Sequence, residues 1–375
     1  MFKLFESHAH PIGIDVGAHA VRFLQFKKGG DASALSLQGA CRVELPSLDS
    51  APDAKHRFAS ALNHALSSGN FAGKSVVLSL PVSAVQSKSV RLPQMPDSDL
   101  AQALQWEAND RFGFEVEAPG STTPSETTKG QLVWFRAGEV RRGTEVKDEL
   151  LLFAVNGDLL NGYMQTLLDA RLRIAGVDIP PCAMYRSLVR AAPNLAIGTA
   201  ALLDLGHAGA QFCIVRDGDL VFYKHIDIGG KSINEAVAAK LGISPEEAVQ
   251  MRVRLIADAS AMNEAAPLNQ ALRDAMRAPL EELGRELDMC MRYYVITFRG
   301  ARPETIAITG RQASCPDVRE TLASALGLAV EEAQPLRGVQ NLGDAARPDR
   351  SGEWAVAAGL SLYKGTNALK TEAAA

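Results

Sequence analysis

Two aspartates stand in matched settings, and the residue types around them suit phosphate and metal. In "IGIDVGAHAVRFLQF" (12–26) an apolar stretch runs into Asp15 and Gly17; in "ALLDLGHAGAQFCIV" (201–215) another runs into Asp204 and Gly206. A glycine at such a turn lets backbone N–H groups face a phosphate. An aspartate at a strand end can hold magnesium directly or through water. Asp15 to Gly29 and Asp204 to Gly218 are both 14 residues apart, so a whole supersecondary unit repeats. One Asp-x-Gly alone reads as a hairpin turn. Two facing each other would clamp a nucleotide in a cleft.

Other segments offer weaker chemistry. Gly229 and Gly230 precede a helical pattern whose amide end could favour an anion. Gly310 and Arg311, in "ITGRQA" (308–313), close a strand and could border an adenine pocket. "GNFAGKS" (69–75) imitates a phosphate loop, but its glycines are one residue too close and a strand follows, which leaves Lys74 a surface residue. His8 and His10 lack a partner at ligand spacing.

The elements that must position these residues follow from periodicity. Residues 12–16 and 20–26 read as strands about the first turn, 34–45 as a third strand, 53–69 as a helix and 75–81 as a strand. A segment of different texture follows: a strand over 87–95, a helix over 99–112 capped by Asp97 or Ser98, a polar loop over 117–130, and strands over 131–137 and 148–156 about a charged turn. A helix over 158–172 and a strand over 174–180 lead to a helix started by Pro180 and Pro181. After the second copy of the opening pattern come helices over 232–242 and 244–256, the second capped by Ser244. Residues 258–275 read as a loop with some helix. A long helix over 279–298 carries Leu280, Leu283, Leu287, Met291 and Tyr294 in one stripe. A strand (304–310), a helix (316–327), a strand (328–335) and an apolar helix (353–363) close the chain.

The bulk numbers exclude several classes. The 375 residues allow two or more domains, and a net charge of −4 gives no electrostatic case for nucleic acid. Five scattered cysteines without a CxxC pair fit reduced, mostly buried thiols. No segment reaches the roughly 18 apolar residues of a membrane span. The start "MFKLFESHAHP" lacks a signal-peptide core. The expectation is a cytoplasmic protein that reaches a membrane only through partners.

The chain resembles the PilM family, actin-like cytoplasmic proteins of type IV pilus assembly related to the cell-division protein FtsA. The resemblance rests on "PIGIDVG" (11–17), "LSLPVSAVQSKSVRLPQMPDSDLAQALQWEANDRFGF" (78–114), "LLLFAVNGDLLNGYMQTLLDARLRIAGVDI" (150–179), "ALLDLGHAGAQFCIVRDGDLVFYKHIDIGG" (201–230), "IAITG" (306–310) and "AVAAGLSLY" (355–363). It implies an α/β, actin-like fold of two ribonuclease-H-like halves with an FtsA-type 1C insertion. The first half would take 11–83, 174–197 and a closing helix at 353–364, and the insertion 84–173. The second half would take 198–230 and 301–345 with a helical lobe at 231–300, leaving 365–375 as a disordered tail. The resemblance also implies ATP with Mg2+, and a groove between the first half and the insertion that takes the N-terminal cytoplasmic peptide of the inner-membrane protein PilN. The pilus motor and platform would be further partners.

Carried onto this chain, the nucleotide contacts fall on Asp15, Gly17, Ala18, His19, Arg22, Asp204, Gly206, His207, Gly229, Gly230, Gly310 and Arg311, with Asp15 and Asp204 as the magnesium ligands. The chain departs from the family here. Ala18 and Arg22 replace a hydroxyl residue and a lysine, His207-Ala208-Gly209-Ala210 replaces a hydroxyl-rich turn, and Arg311 and Gln312 follow Gly310. Pro180 stands after Asp178-Ile179 where the family often has an acid, which leaves Asp178 as the one weak candidate for a catalytic base. Either His19 and His207 supply replacement donors, or the scaffold has lost efficient ATP use. The favoured expectation is an adaptor with a degraded ATP site. The alternatives are a slow ATPase or sugar-kinase-like phosphotransferase, or an actin-like filament former; homo-oligomerisation stays open.

Overall fold

The computed structural model describes residues 9–28, 35–45, 54–117, 129–142, 144–257 and 267–365. Gly29, His8, most of the 117–130 loop and the tail from 366 lie outside these residues. In chain order the elements are β1 (Ile12–Val16), β2 (Ala20–Lys27), β3 (Ser36–Glu44), α1 (Ala54–Ser68), β4 (Ser75–Ser79), β5 (Val85–Pro93), α2 (Asp97–Phe112), β6 (Gln131–Arg142), β7 (Glu145–Val155), α3 (Gly157–Asp169), β8 (Arg173–Asp178) and α4 (Pro180–Ala191). Then follow β9 (Thr199–Leu205), β10 (Ala210–Arg216), β11 (Asp219–Ile226), α5 (Gly230–Leu241), α6 (Pro245–Ala257), α7 (Pro267–Phe298), β12 (Thr305–Thr309), α8 (Pro316–Leu326), β13 (Ala329–Glu332) and α9 (Ala355–Ser361).

Two five-stranded sheets repeat one plan. The first runs β3-β2-β1-β4-β8 and the second β11-β10-β9-β12-β13. In each, the first three strands are antiparallel, and the last two run parallel to the central one. The sequence repeat is therefore a repeat of topology. A third sheet, β5-β7-β6, is antiparallel. This is an actin-like α/β fold with two similar halves.

Helix α4 explains how the halves meet. Every residue from Pro180 to Val189 is buried, the signature of a helix covered on all sides. Its Ala183, Met184 and Leu188 share one core with Val77 of the first sheet and with Leu203 and Ile308 of the second. Helix α9 lies beside it. A Cβ on Gly359 would strike the Ala183 carbonyl, and one on Gly13 would strike that of Ala357, so glycine permits both close approaches. On the other face of the first sheet, α1 and α3 bury Phe58, Leu62, Leu160, Tyr163 and Leu167 against β1 and β4.

Several boundaries differ from the sequence reading. Helix α7 begins at Pro267 and carries Pro279 inside it. Proline favours a first helical turn, so the pattern suggested a start there. Burial of Leu272, Ala275 and Met276 before it and Leu280 and Leu283 after it offsets the missing hydrogen bond. The expected stripe of α7 is buried throughout. The 138–147 turn is mostly ladder, with a register shift between Arg136 and Gly138. Helix α2 starts at Asp97 after Pro96 with no side-chain cap, whereas Ser244 and Glu247 cap α6 reciprocally at 3.1 and 2.8 Å.

Two packing relations run across the expected spans. Helix α3 falls within 84–173, yet its apolar face joins the first core; the insertion's own core is α2 on β5, β6 and β7. Within 301–345, Leu336, Val339 and Ala345 cover Leu24, Phe26 and Leu37 of the first sheet, and Gln340 bonds the Leu35 carbonyl at 3.0 Å.

Candidate functional site

The two Asp-x-Gly turns are the same hairpin. Gly17 N–H donates to the Ala20 carbonyl and Gly206 N–H to the Gly209 carbonyl, both at 3.0 Å. Position by position, Ala18 matches His207 and His19 matches Ala208. The histidines are thus offset by one place in the repeat. That offset brings them together: the rings of His19 and His207 stack at 4.7 Å between centroids, 26° from parallel. The tips of the two halves touch through this pair.

The register sets the partner of each aspartate. Arg22 lies opposite Asp15 across the β1–β2 ladder, and Gln211 lies opposite Asp204 across β9–β10. Arg22 Nη1 donates to Asp15 Oδ2 at 3.0 Å. Its Nε lies 3.6 Å from Glu353 Oε2, and Arg42 Nε reaches the same oxygen at 3.2 Å. The Glu353 side chain is fully buried. A chain of alternating charges thus runs from Glu44 through Arg42, Glu353 and Arg22 to Asp15, closing with Arg42 on Glu44 at 2.8 Å.

Among the described residues, the second aspartate is hydrogen-bonded by neutral donors. Gln211 Nε2 donates to Asp204 Oδ2 at 3.3 Å, and Tyr223 donates to Gln211 Oε1 at 3.1 Å. Thr309 donates to Asp204 Oδ1 at 3.4 Å. In the first half, the register-equivalent of Thr309 is Ser79, whose buried hydroxyl has no hydrogen-bond partner among the described residues. Gly310, at φ +84°, passes so close that a Cβ would lie 2.6 Å from Asp204 Oδ1 and 2.5 Å from the Leu205 carbonyl.

These differences appear in the acidities. Burial and the Asp15 charge push the Asp204 carboxyl up to about 6. Burial also raises the Asp15 carboxyl, with Arg22 opposing. Burial pulls on the Arg22 guanidinium, but Asp15, Glu353 and Asp204 outweigh it and hold it charged. Desolvation lowers both histidines, His207 to about 4 with His19 and Lys231 contributing.

The remaining candidates are placed as follows. Gly229 and Gly230 do open α5, and its first amides face the second hairpin: Gly230 N–H bonds the Gly206 carbonyl at 2.9 Å, and Lys231 N–H that of His207 at 2.8 Å. Gly310 and Arg311 stand at the end of β12, next to Gln312. Arg252 of α6 is buried and donates to Gln312 and to Asn234 of α5, the latter at 2.6 Å. Asp178 does not face the hairpins as a free base. It pairs with Arg186 at 2.8 Å, and Arg186 also donates to the Gly359 carbonyl at 2.7 Å. That pair ties β8 to α4 and α9.

Sequence reasoning missed Glu353, Arg42, Arg252 and Gln211. The signal for Gln211 was present, because Arg22 and Gln211 both stand seven residues after their aspartates. The others come from distant segments and carry no local signature.

The residues present do not fit a magnesium nucleotide well. Asp15 is already matched by a cation, the histidine rings stand in contact between the tips, and Arg252 and Gln312 bond each other beside Gly310. Among the described residues there is no group of three or more His, Cys, Asp or Glu that could hold a metal ion.

The family model described as type IV pilus assembly protein PilM matches residues 13–364. Among solved structures, the chain is similar to the "PilM-PilN type IV pilus biogenesis complex", with 20% identity over 94% of this chain and 98% of that one, TM-score 0.71. It is also similar to ethanolamine utilization protein EutJ from Carboxydothermus hydrogenoformans, with 10% identity over 95% and 90%, TM-score 0.52. A diol dehydratase-reactivating factor in nucleotide free form shares 11% identity over 94% and 99%, TM-score 0.52. No curated protein sequence matches the chain.

Proposed function

Because the chain belongs to the PilM family of type IV pilus assembly proteins, we propose that it is an actin-fold adaptor. It works in the inner-membrane platform of a pilus or related secretion system. There it grips the N-terminal cytoplasmic peptide of a PilN-type protein and presents it to the motor. The observation that carries this reading is the family match over residues 13–364, insertion included.

Two features support it. Strands β5 and β8 are edge strands of the insertion sheet and the first sheet. The unpaired backbone groups of an edge suit an extended peptide. No helix among the described residues is long and apolar enough to cross a membrane, which suits contact through a membrane-anchored partner. The division into two halves, a 1C insertion and a helical lobe belongs to the same reading. Turnover is not favoured, since the Arg186 pairing occupies the Asp178 carboxylate. ATP with Mg2+, as the family implies, would be held weakly if at all.

The test is calorimetric titration of the full chain with the N-terminal peptide of the PilN-type protein, with and without Mg-ATP. Saturable binding is expected in both conditions. Absence of binding in both overturns the adaptor reading.

A further inference from the structure

We infer that Arg22 is a built-in cation standing in for the divalent metal at the first aspartate, so that the chain's own charges, and not a metal nucleotide, neutralise that site. The inference rests on the PilM-family reading, which is what sets the expectation of metal and nucleotide.

Three independent contacts support it. The first is charge. The guanidinium of Arg22 is within 3.0 Å of Asp15 and 3.6 Å of the buried Glu353, and its field also reaches Asp204 in the other half. Arginine stays ionised at any ordinary pH and presents a rigid fork. The first aspartate thus meets a cation that cannot dissociate. A magnesium ion would carry the cluster of Arg22 and Arg42 with Asp15, Glu353 and Glu44 from one net negative charge to one net positive charge.

The second contact is steric. Rings stacked at 4.7 Å are in contact, so a phosphate chain could pass between the hairpin tips only by parting His19 from His207. The third lies deeper in the second half. Arg252 binds Gln312 and Asn234. Gln312 in turn approaches Gly230 so closely that a Cβ there would meet its amide nitrogen at 2.7 Å. One arginine network therefore joins α5, α6 and the loop after β12, with no ligand needed to bridge them.

The consequence is a first aspartate whose neutralisation does not depend on a metal ion. Removing Arg22 should leave Asp15, Glu353 and Asp204 short of positive charge, and should create an appetite for a divalent ion that the native chain lacks. Thermal unfolding of the full chain tests this. For the native chain, millimolar MgCl2 and millimolar Mg-ATP should leave the midpoint where sodium chloride of equal ionic strength leaves it. For Arg22→Ala the midpoint should be lower, and MgCl2 alone should raise it. A saturable rise of the native midpoint with Mg-ATP overturns the inference, and so does an Arg22→Ala midpoint indifferent to MgCl2. If Arg22→Ala does not fold, calorimetry of the native chain with Mg-ATP decides: no binding heat supports the inference and a saturable heat overturns it. Failure of the peptide titration would overturn the adaptor reading and leave this result standing.

Discussion

The two halves place an aspartate at the same strand end, in the same ladder register, beside the same tight turn, yet they surround it differently. Asp15 faces Arg22; Asp204 faces Gln211. Among the described residues the Ser79 hydroxyl beside Asp15 has no hydrogen-bond partner, whereas Thr309 donates to Asp204. Leu80 follows the first of these strands and Gly310 the second. A duplicated backbone thus carries two electrostatic solutions. One carboxylate is neutralised by a fixed cation. The other is held by neutral donors and rises to about 6. Topology decides where the carboxylates sit, and the residue seven positions later decides what each can bind.

The contrast can be broken most forcefully from the first side. Arg22→Ala should cost about 3 kcal/mol in urea unfolding at neutral pH, because it strips a cation from buried carboxylates. Gly310→Ala should cost about 2 kcal/mol, since it combines a left-handed backbone with close contacts to Asp204 and Leu205; the same measurement reads it. No such penalty applies at Leu80, which already carries a side chain.

A third variant, Asp204→Asn, sharpens the comparison through pH. The folded carboxyl at about 6 lies above its ordinary 3.8. The folded state therefore holds the proton more tightly, and this group costs stability as pH rises from about 4 to about 6. Asp204→Asn should raise stability at pH 7 to 8 by about 1–2 kcal/mol. His207 slopes the other way. Its folded value of about 4 lies below 6.5, so its contribution is full above 6.5 and is lost as pH falls toward 4. Urea midpoints from pH 4 to 8 should show the variant losing stability on acidification more steeply than the native chain.

Gln211→Ala should cost about 1 kcal/mol, the worth of an ordinary hydrogen bond, against the larger loss at the equivalent Arg22. The smallest effect belongs to the histidine pair. In His19→Ala, NMR titration should find His207 moved upward from about 4 yet still below the ordinary histidine value, because burial, the larger cause, remains.

Much of this was legible in the sequence, for identifiable reasons. The strand–turn–strand repeat around Asp15 and Asp204 is local, and its periodicity reported the two sheets. The stripe on α7 was readable because one face of a helix repeats at 3.6 residues. Its true start was hidden by Pro279, a residue that marks a helix beginning more often than an interior. The hairpin of β6 and β7 was shortened because Glu139, Arg141 and Glu145 are exposed ladder residues, which a polar pattern cannot separate from a turn. Arg22 stood out as a departure. Its meaning depended on Glu353 and Arg42, and Glu353 lies more than 300 residues away along the chain. Side-chain charge networks between distant segments leave no periodicity to read.

The packing of α9 on β1 also constrains when the protein can fold. The first sheet's central strand spans residues 12–16, and the helix that covers it spans 355–361. Ser361 Oγ donates to the Pro11 carbonyl at 2.9 Å and accepts from Phe26 N–H at 3.1 Å. Glu353, the partner of Arg22, arrives equally late. The β5–β7–β6 sheet draws on residues 85–155 and can form while synthesis continues. The first half must wait, its β1–β2 hairpin uncovered and Arg22 paired with Asp15 but not yet with Glu353, until residues 353–361 have left the ribosome.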